Sequence, residues 1–341
     1  MERNSINGNQ FIYNREDGSE MLTEVAKNIY KQVVPLPNNP LREINVYFIL
    51  GEKNLMIDTG FNRPECEEAL KSAVSELGIE EYDVFISHLH SDHCGLISKF
   101  AKSGCKILAG ETEGEMINFE SGNLYWRMLD DLFIKFGFPK AQFGRNTDIH
   151  PGRKYCNTEK VNFTYVDEGD VLEYGGYHFQ PILTPGHTPG HMCLYDAEKN
   201  VLFCGDHILG TITPNICIEL GVENPLEDYL NSLKKIDALD VDLVLTSHGT
   251  MIQDVHGRIQ ELFQHHEARL AEVKNILTNE WKTAYMVAQD MTWEIMCKDW
   301  ESFPEPQKWF ATGEAISHLQ YLYLSGIILR EERNGIYYYK K

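Results

Sequence analysis

Six consecutive residues, His88-Leu89-His90-Ser91-Asp92-His93, constrain this chain more than any other stretch. Four of the six carry side chains that bind metal ions, and they begin where a short apolar strand, Tyr82 to Ser87, stops. In extended backbone alternate side chains point the same way, so His88 and His90 can share one ion. If the chain turns directly afterwards, Asp92 and His93 face a second. Imidazole suits Zn²⁺, Fe²⁺ or Mn²⁺, and a carboxylate shifts the preference toward harder ions.

The run has companions. Thr184-Pro185-Gly186-His187-Thr188 follows a strand-like segment from His178 to Leu183, and Gly205-Asp206 follows Val201 to Cys204. Ser247-His248-Gly249 follows Val241 to Leu245. Each places one metal-binding side chain on a loop just after a strand, the arrangement of a layered sheet scaffold that carries its chemistry on loops. Further strands are read at Val46 to Leu50, Leu55 to Ile57 and Lys106 to Ala109, with a helix from Pro64 to Leu77. His191 and His207 stand beside these motifs and are read as supporting residues. His150, His178, His256, His265, His266 and His318 lack such a context and are read as packing or surface residues.

The ordered set His, His, Asp, His, His, Asp, His resembles the metallo-β-lactamase superfamily over roughly Ile44 to Thr250. The resemblance implies a mixed α/β fold, an αββα sandwich of two sheets packed face to face. It implies a first metal on His88, His90 and His187, a second on Asp92, His93 and His248, and a bridge through Asp206. Asp58, in Met56-Ile57-Asp58-Thr59-Gly60, matches the family's early aspartate, which supports the ligands from behind. The implied cofactor is two divalent ions, Zn²⁺ by default with Fe or Mn as alternatives. Asp92 and Asp206 are the catalytic carboxylates of this reading. A hydroxide bridging the metals would attack an ester or thioester carbonyl.

Asp92-His93 with a bridging Asp206 looks more like hydroxyacylglutathione hydrolases than lactamases. Thr184 to Met192, Cys204 to Gly210 and Asp228 to Leu233 are similar to a narrower subgroup. It contains lactamase-β-like endoribonucleases and thioesterases that release polyketides. Those relatives differ in substrate, so thioester, lactone and phosphodiester hydrolysis all remain open, with acyl-CoA or acyl-glutathione compounds preferred.

Residues 1–256 are read as the catalytic domain, with a lid insertion at about 112–160. The lid is aromatic (Trp126, Phe133, Phe136, Phe138, Phe143), with a helical pattern through Leu124 to Phe136. Between Ile134 and Tyr155 it holds five basic residues, Lys135, Lys140, Arg145, Arg153 and Lys154, against one acid, Asp148. Such a stretch is either a solvated face or a handle for an anionic group such as coenzyme A phosphates. Residues 257–341 read as a winged-helix-like module. Helices are expected at Ile259 to Thr278 and Ala311 to Tyr323. Strands at Ile327 to Arg330 and Ile336 to Tyr339 flank Asn334-Gly335, a favoured tight hairpin turn.

Charge argues against nucleic acid as partner. The formal net charge is −20, and from Arg258 onward there are 10 basic and 12 acidic residues. A phosphate-reading module is normally basic. The module is therefore read as a cap or a homodimer surface, and the partner as a small acyl molecule. No apolar run approaches the ~20 residues needed to cross a bilayer. Met1 to Glu20 lacks an apolar signal core, so a cytoplasmic protein without membrane attachment is expected. The eight cysteines contain no Cys-x-x-Cys pair and read as free, mostly buried thiols, with Cys94 close to the metal run.

Overall fold

The computed structural model describes residues 21–101, 104–146, 150–294 and 297–341. The N-terminal stretch Met1 to Glu20 therefore lies outside the described residues, as do Asp148 and the side chain of Arg145.

One sheet contains β1 (Leu22–Ala26), β2 (Ile29–Pro35), β3 (Glu43–Ile49), β4 (Leu55–Ile57), β5 (Asp83–Phe85), β6 (Ile107–Ala109) and β7 (Thr164–Tyr165), in that order. Pairing is antiparallel from β1 to β4 and parallel from β4 to β7. The other sheet contains β8 (Leu172–Tyr174), β9 (Tyr177–Leu183), β10 (Met192–Asp196), β11 (Val201–Gly205) and β12 (Leu243–Thr246). In this sheet only β11 and β12 run parallel.

The two-residue period of each strand decides the layers. Tyr47 and Ile49 of β3, Ile57 of β4, Phe85 of β5 and Leu108 of β6 point inward. They meet Phe179, Met192, Leu194, Phe203 and Leu245 of the second sheet. The alternate residues Val46, Phe48, Met56, Val84 and Ala109 point outward, against Leu70 and Ala73 of α1 (Pro64–Glu76). On the far side Cys193, Leu202, Cys204 and Val244 meet Tyr229, Leu233 and Ile236 of the helix Pro225–Asp237. The expected αββα sandwich is thus present. Because both faces of the central strands are covered, they read as unbroken apolar runs.

Along the chain, α2 (Ser91–Cys94) and α3 (Ile97–Phe100) connect β5 to β6, and α4 (Glu111–Glu120), α5 (Asn123–Lys135), α6 (Lys140–Asn146) and α7 (Pro151–Tyr155) come between β6 and β7. After α8, the helix Pro225–Asp237, come α9 (Val255–Ile276), α10 (Ala284–Asp290), α11 (Glu305–Leu324) and the hairpin β13 (Leu329–Arg333) and β14 (Ile336–Lys340). Asn334 and Gly335 take φ of 51° and 79°, the left-handed backbone a tight hairpin turn demands.

Two helices begin earlier than their apolar pattern suggests. Asp254 caps α9 by accepting the Gly257 amide at 2.9 Å, so residue 257 falls in its first turn. In α11 the start at Glu305 puts Pro306 in the first turn, where its missing N–H is harmless. The segment 123–143 and the C-terminal helices share one apolar cluster. In it Phe133 stacks on Trp309 with ring centres 4.2 Å apart, and Phe136 meets Tyr337 edge-on. Among the described residues no helix is long and apolar enough to cross a membrane.

Candidate metal centre

Parallel strands point their C-terminal ends the same way, and open α/β sheets bind ligands at those ends. Here both sheets do so together. Asp58 follows β4, the histidine run follows β5, His187 follows β9, Asp206 follows β11 and His248 follows β12. Leu89 is a bend, His90 is extended and Ser91–Cys94 forms one helical turn, so the run leaves the strand direction within its first pair of histidines.

Seven side chains converge. One ligand atom each from His88, His90 and His187 lies within 4.8 Å of the others, and so do Asp92, His93 and His248. Asp206 sits between the two sets. Its oxygens are 3.6 Å from His93 Nε2, 3.7 Å from His187 Nε2 and 3.6 Å from His248 Nε2. Asp92 Oδ2 is 3.3 Å from His248 Nε2. All seven positions named from the sequence are in the cluster, and Asp58 is directly behind it.

The far side of three of the imidazoles is fixed by an acceptor. His93 Nδ1 donates to Asp58 Oδ2 at 2.8 Å, His187 Nδ1 to the Asn215 carbonyl at 2.9 Å and His248 Nδ1 to the Glu43 carbonyl at 2.8 Å. With the proton on Nδ1, each Nε2 presents a lone pair to the centre. Among the described residues, the Nε2 atoms of His93, His187 and His248, and Oδ1 of Asp206, are buried without a hydrogen-bond partner. Four such atoms in one cluster are costly unless cations meet them. The donor set, nitrogen with carboxylate oxygen, fits divalent metal ions.

Electrostatics agree. Burial, then neighbouring histidines, holds His88 well below its usual range and His90 down to about 3, so both stay neutral. Burial alone would raise Asp92 and Asp206. The facing imidazoles outweigh it, holding Asp92 down to about 2 and Asp206 lower still. Burial likewise pulls on His93, but Asp206, Asp58 and Asp92 together raise it well above normal, so its Nε2 carries a proton until a metal ion displaces it.

The Metallo-beta-lactamase superfamily model matches residues 39–248. This chain belongs to the metallo-beta-lactamase superfamily. A beta-lactamase-like protein 2 homolog of Caenorhabditis elegans is 28% identical over 271 residues, 76% of this chain and 77% of that protein. A probable metallo-hydrolase of Bacillus subtilis is 24% identical over 259 residues, 73% of this chain and 80% of that one. Among solved structures, a metallo-beta-lactamase family protein from Thermus thermophilus is 28% identical with a TM-score of 0.78. It matches 93% of this chain and 100% of its own length. A beta-lactamase domain protein from Burkholderia ambifaria has a TM-score of 0.81 at 24% identity, covering 94% of each chain. A superfamily hydrolase is therefore the activity class these likenesses support.

Two residues brace this metallo-beta-lactamase-type centre: His191, which the sequence marks as a supporting residue, and Glu113, which it does not. His191 is fully buried; its Nδ1 hydrogen bonds Thr184 Oγ1 at 2.8 Å and its Nε2 accepts the Asp206 amide at 3.2 Å, fixing the Asp206 loop. Glu113 accepts the Thr188 hydroxyl at 2.6 Å and the Gly190 amide at 2.7 Å, bracing the His187 loop. Neither glutamate nor asparagine contacts of this kind carry a local sequence signature; they follow from chain crossings. Cys94, in contrast, turns away and donates its thiol to the Leu89 carbonyl. All eight cysteines are free, six of them buried.

A cavity of about 800 Å³ opens on His90, Asp92, His187 and Asp206. Its wall is largely apolar, with Trp126, Leu129, Trp309 and Phe310, and Arg63 and Lys154 also line it. The basic stretch of the lid does not act as one patch. Lys154 lines the cavity, while Lys135 lies 3.9 Å from Glu332 and over the Tyr337 ring. His150, read as a packing residue, packs on Trp126 and Trp309 and lines the cavity. His266 and His318 are buried between α9 and α11, joined at 3.2 Å.

Proposed function

We propose that this chain is a dinuclear-metal hydrolase that cleaves the ester or thioester bond of a small acyl substrate. The observation that carries the proposal is the set of unpartnered buried ligand atoms at the end of a largely apolar cavity. His88, His90 and His187 would hold one ion, Asp92, His93 and His248 the other, and Asp206 both, with Zn²⁺ the first choice. When bound, such ions acidify a water and polarise the carbonyl to be cleaved.

The remaining work belongs to the chain. Asp58, Asn215 and Glu43 hold the imidazole protons on Nδ1. His191 and Glu113 keep the ligand loops in place. The aromatic wall takes the acyl part and excludes water, and its volume is in the ordinary range for small-molecule sites. In this reading Lys154, which lines the cavity, meets an anionic leaving group, while Arg63 beside it is paired with Glu65 at 2.7 Å. A thiolate leaves without a proton donor, which favours a thioester where no second acid stands beside the ligands.

We read 257–341 as a winged-helix-like module acting as a cap, since α11 brings Trp309 and Phe310 to the cavity. The helix that would enter a nucleic-acid groove, α11, carries Glu305 and Glu314 against Lys308 alone, which weighs against an endoribonuclease. The test is turnover of acyl-CoA, acyl-glutathione and aryl esters by metal-loaded protein, with and without chelator. Chelator-sensitive turnover of at least one class supports the proposal. No turnover on any, together with tight, salt-sensitive RNA binding, would replace it with the nuclease reading.

A further inference from the structure

The same cavity has a second polar end that the metal chemistry does not use. Glu120, at the end of α4, and Glu219, in the loop before α8, both line it, and they are only 4% and 6% exposed. Glu219 Oε2 accepts the Tyr125 hydroxyl at 2.8 Å. Glu120 Oε2 is buried with no hydrogen-bond partner among the described residues. The charges acting on Glu120 are those of Glu219 and Glu113, and the charge acting on Glu219 is that of Glu113, all of one sign. Around them stand Tyr125 and Trp126, which offer ring faces, and the aliphatic Leu129; none of the three is a cation.

Two carboxyl groups buried in an aromatic wall without a counter-charge weaken the fold unless something else meets them. Burial pushes Glu219 up to about 7 and Glu120 well above its normal range, so each would gain from a cation that stabilises its ionised form. Aromatic faces beside them add attraction for the same kind of ligand.

We propose that Glu120 and Glu219 form a recognition subsite for a cationic nitrogen, an ammonium or guanidinium group, on the acyl part of the substrate. The role in substrate choice rests on the hydrolase reading; the binding itself does not. The pair then sets specificity: an aminoacyl chain reaches it, while a plain alkyl chain leaves both carboxyls unmet.

Calorimetric titration of the full-length protein with hexylamine and with 1-hexanol tests the subsite without any turnover. At least tenfold tighter binding of hexylamine is expected. Glu120→Gln should bring hexylamine to the level of hexanol and leave hexanol unchanged, and Glu219→Gln serves as the second variant if the first unfolds. Equal binding of the two probes, or hexylamine binding indifferent to both variants as for an amine on the metal centre, would overturn the proposal. In parallel, 6-aminohexanoyl and hexanoyl thioesters are compared as substrates. An amine preference in binding with no thioester turnover would sink the hydrolase reading and leave the subsite standing. Turnover of both thioesters at equal kcat/KM would sink the subsite and leave the hydrolase.

Discussion

Asp58 is the most informative single residue to perturb, because it touches no substrate yet controls a ligand. Its carboxylate is 1% exposed and accepts three hydrogen bonds, from the Ser87 amide at 2.9 Å, the Ser87 hydroxyl at 2.8 Å and His93 Nδ1 at 2.8 Å. Asp58→Asn keeps the size, and asparagine tolerates the left-handed backbone there, φ 62°. What it removes is the negative charge and one acceptor oxygen. The amide NH₂ must then face the Ser87 hydroxyl or His93, and nothing holds the His93 proton on Nδ1. In the other tautomer Nε2 carries a proton and cannot bind a metal. Outer-shell partners of this kind are worth about 10–100-fold in metal affinity, or roughly 1.4–2.7 kcal/mol. One mismatched buried hydrogen bond should also remove about 1–3 kcal/mol of folding stability. Competition with a chromophoric chelator reads the first effect and urea denaturation the second. Metal affinity within twofold of wild type would refute the claim that Asp58 orients His93.

The other expectations follow from the same geometry. Glu113 titrates at about 7 in the fold, raised by burial from 4.5. The folded state therefore holds this proton more tightly. The stability the group contributes is complete below pH 4.5 and lost as pH rises through about 7, by roughly 3 kcal/mol. Glu113→Gln should flatten that fall, as urea melts at pH 5 and 8 would show. At Gly186, φ is 137° and an added Cβ would lie 2.4 Å from Tyr229 Cα. Gly186→Ala should cost about 2–4 kcal/mol of stability and disturb the His187 loop, measured by thermal melting. Glu314 on α11 accepts from Asn215 Nδ2 at 3.3 Å and from Arg269 Nε at 3.0 Å, and the Asn215 carbonyl holds His187. Glu314→Ala should weaken metal binding roughly tenfold, the lower end for outer-shell partners, in the same chelator competition.

The ligand loops were legible because each sits where a short apolar run ends. The seven candidate ligand positions and Asp58 follow from that together with family order. The sandwich was legible through strand parity, as in Val46-Tyr47-Phe48-Ile49, where alternate residues meet α1 and the second sheet. The β1–β2 hairpin was harder to see. Leu22–Ala26 alternates weakly and is half-exposed, so its apolar signal is thin. Helix starts were misplaced where a cap or a proline, Asp254 or Pro306, begins the helix before its apolar face appears. Least legible were the residues that act across the chain. Glu113 serves the His187 loop from 75 positions away, and Asn45 bonds the Thr246 carbonyl from 201 positions away. No local pattern encodes such a crossing. The same holds for Glu120 and Glu219, which look like solvated charges in sequence and are buried because α4, α5 and the 209–219 loop close over them.

The central claim is that one carboxylate, Asp206, joins two metal ions, and metal content per chain tests it most directly. The wild-type protein, loaded with Zn²⁺ and desalted, should hold two ions by mass spectrometry. Asp206→Ala should hold one or fewer, with hydrolysis lost alongside. A variant that keeps two ions and full turnover would contradict the account.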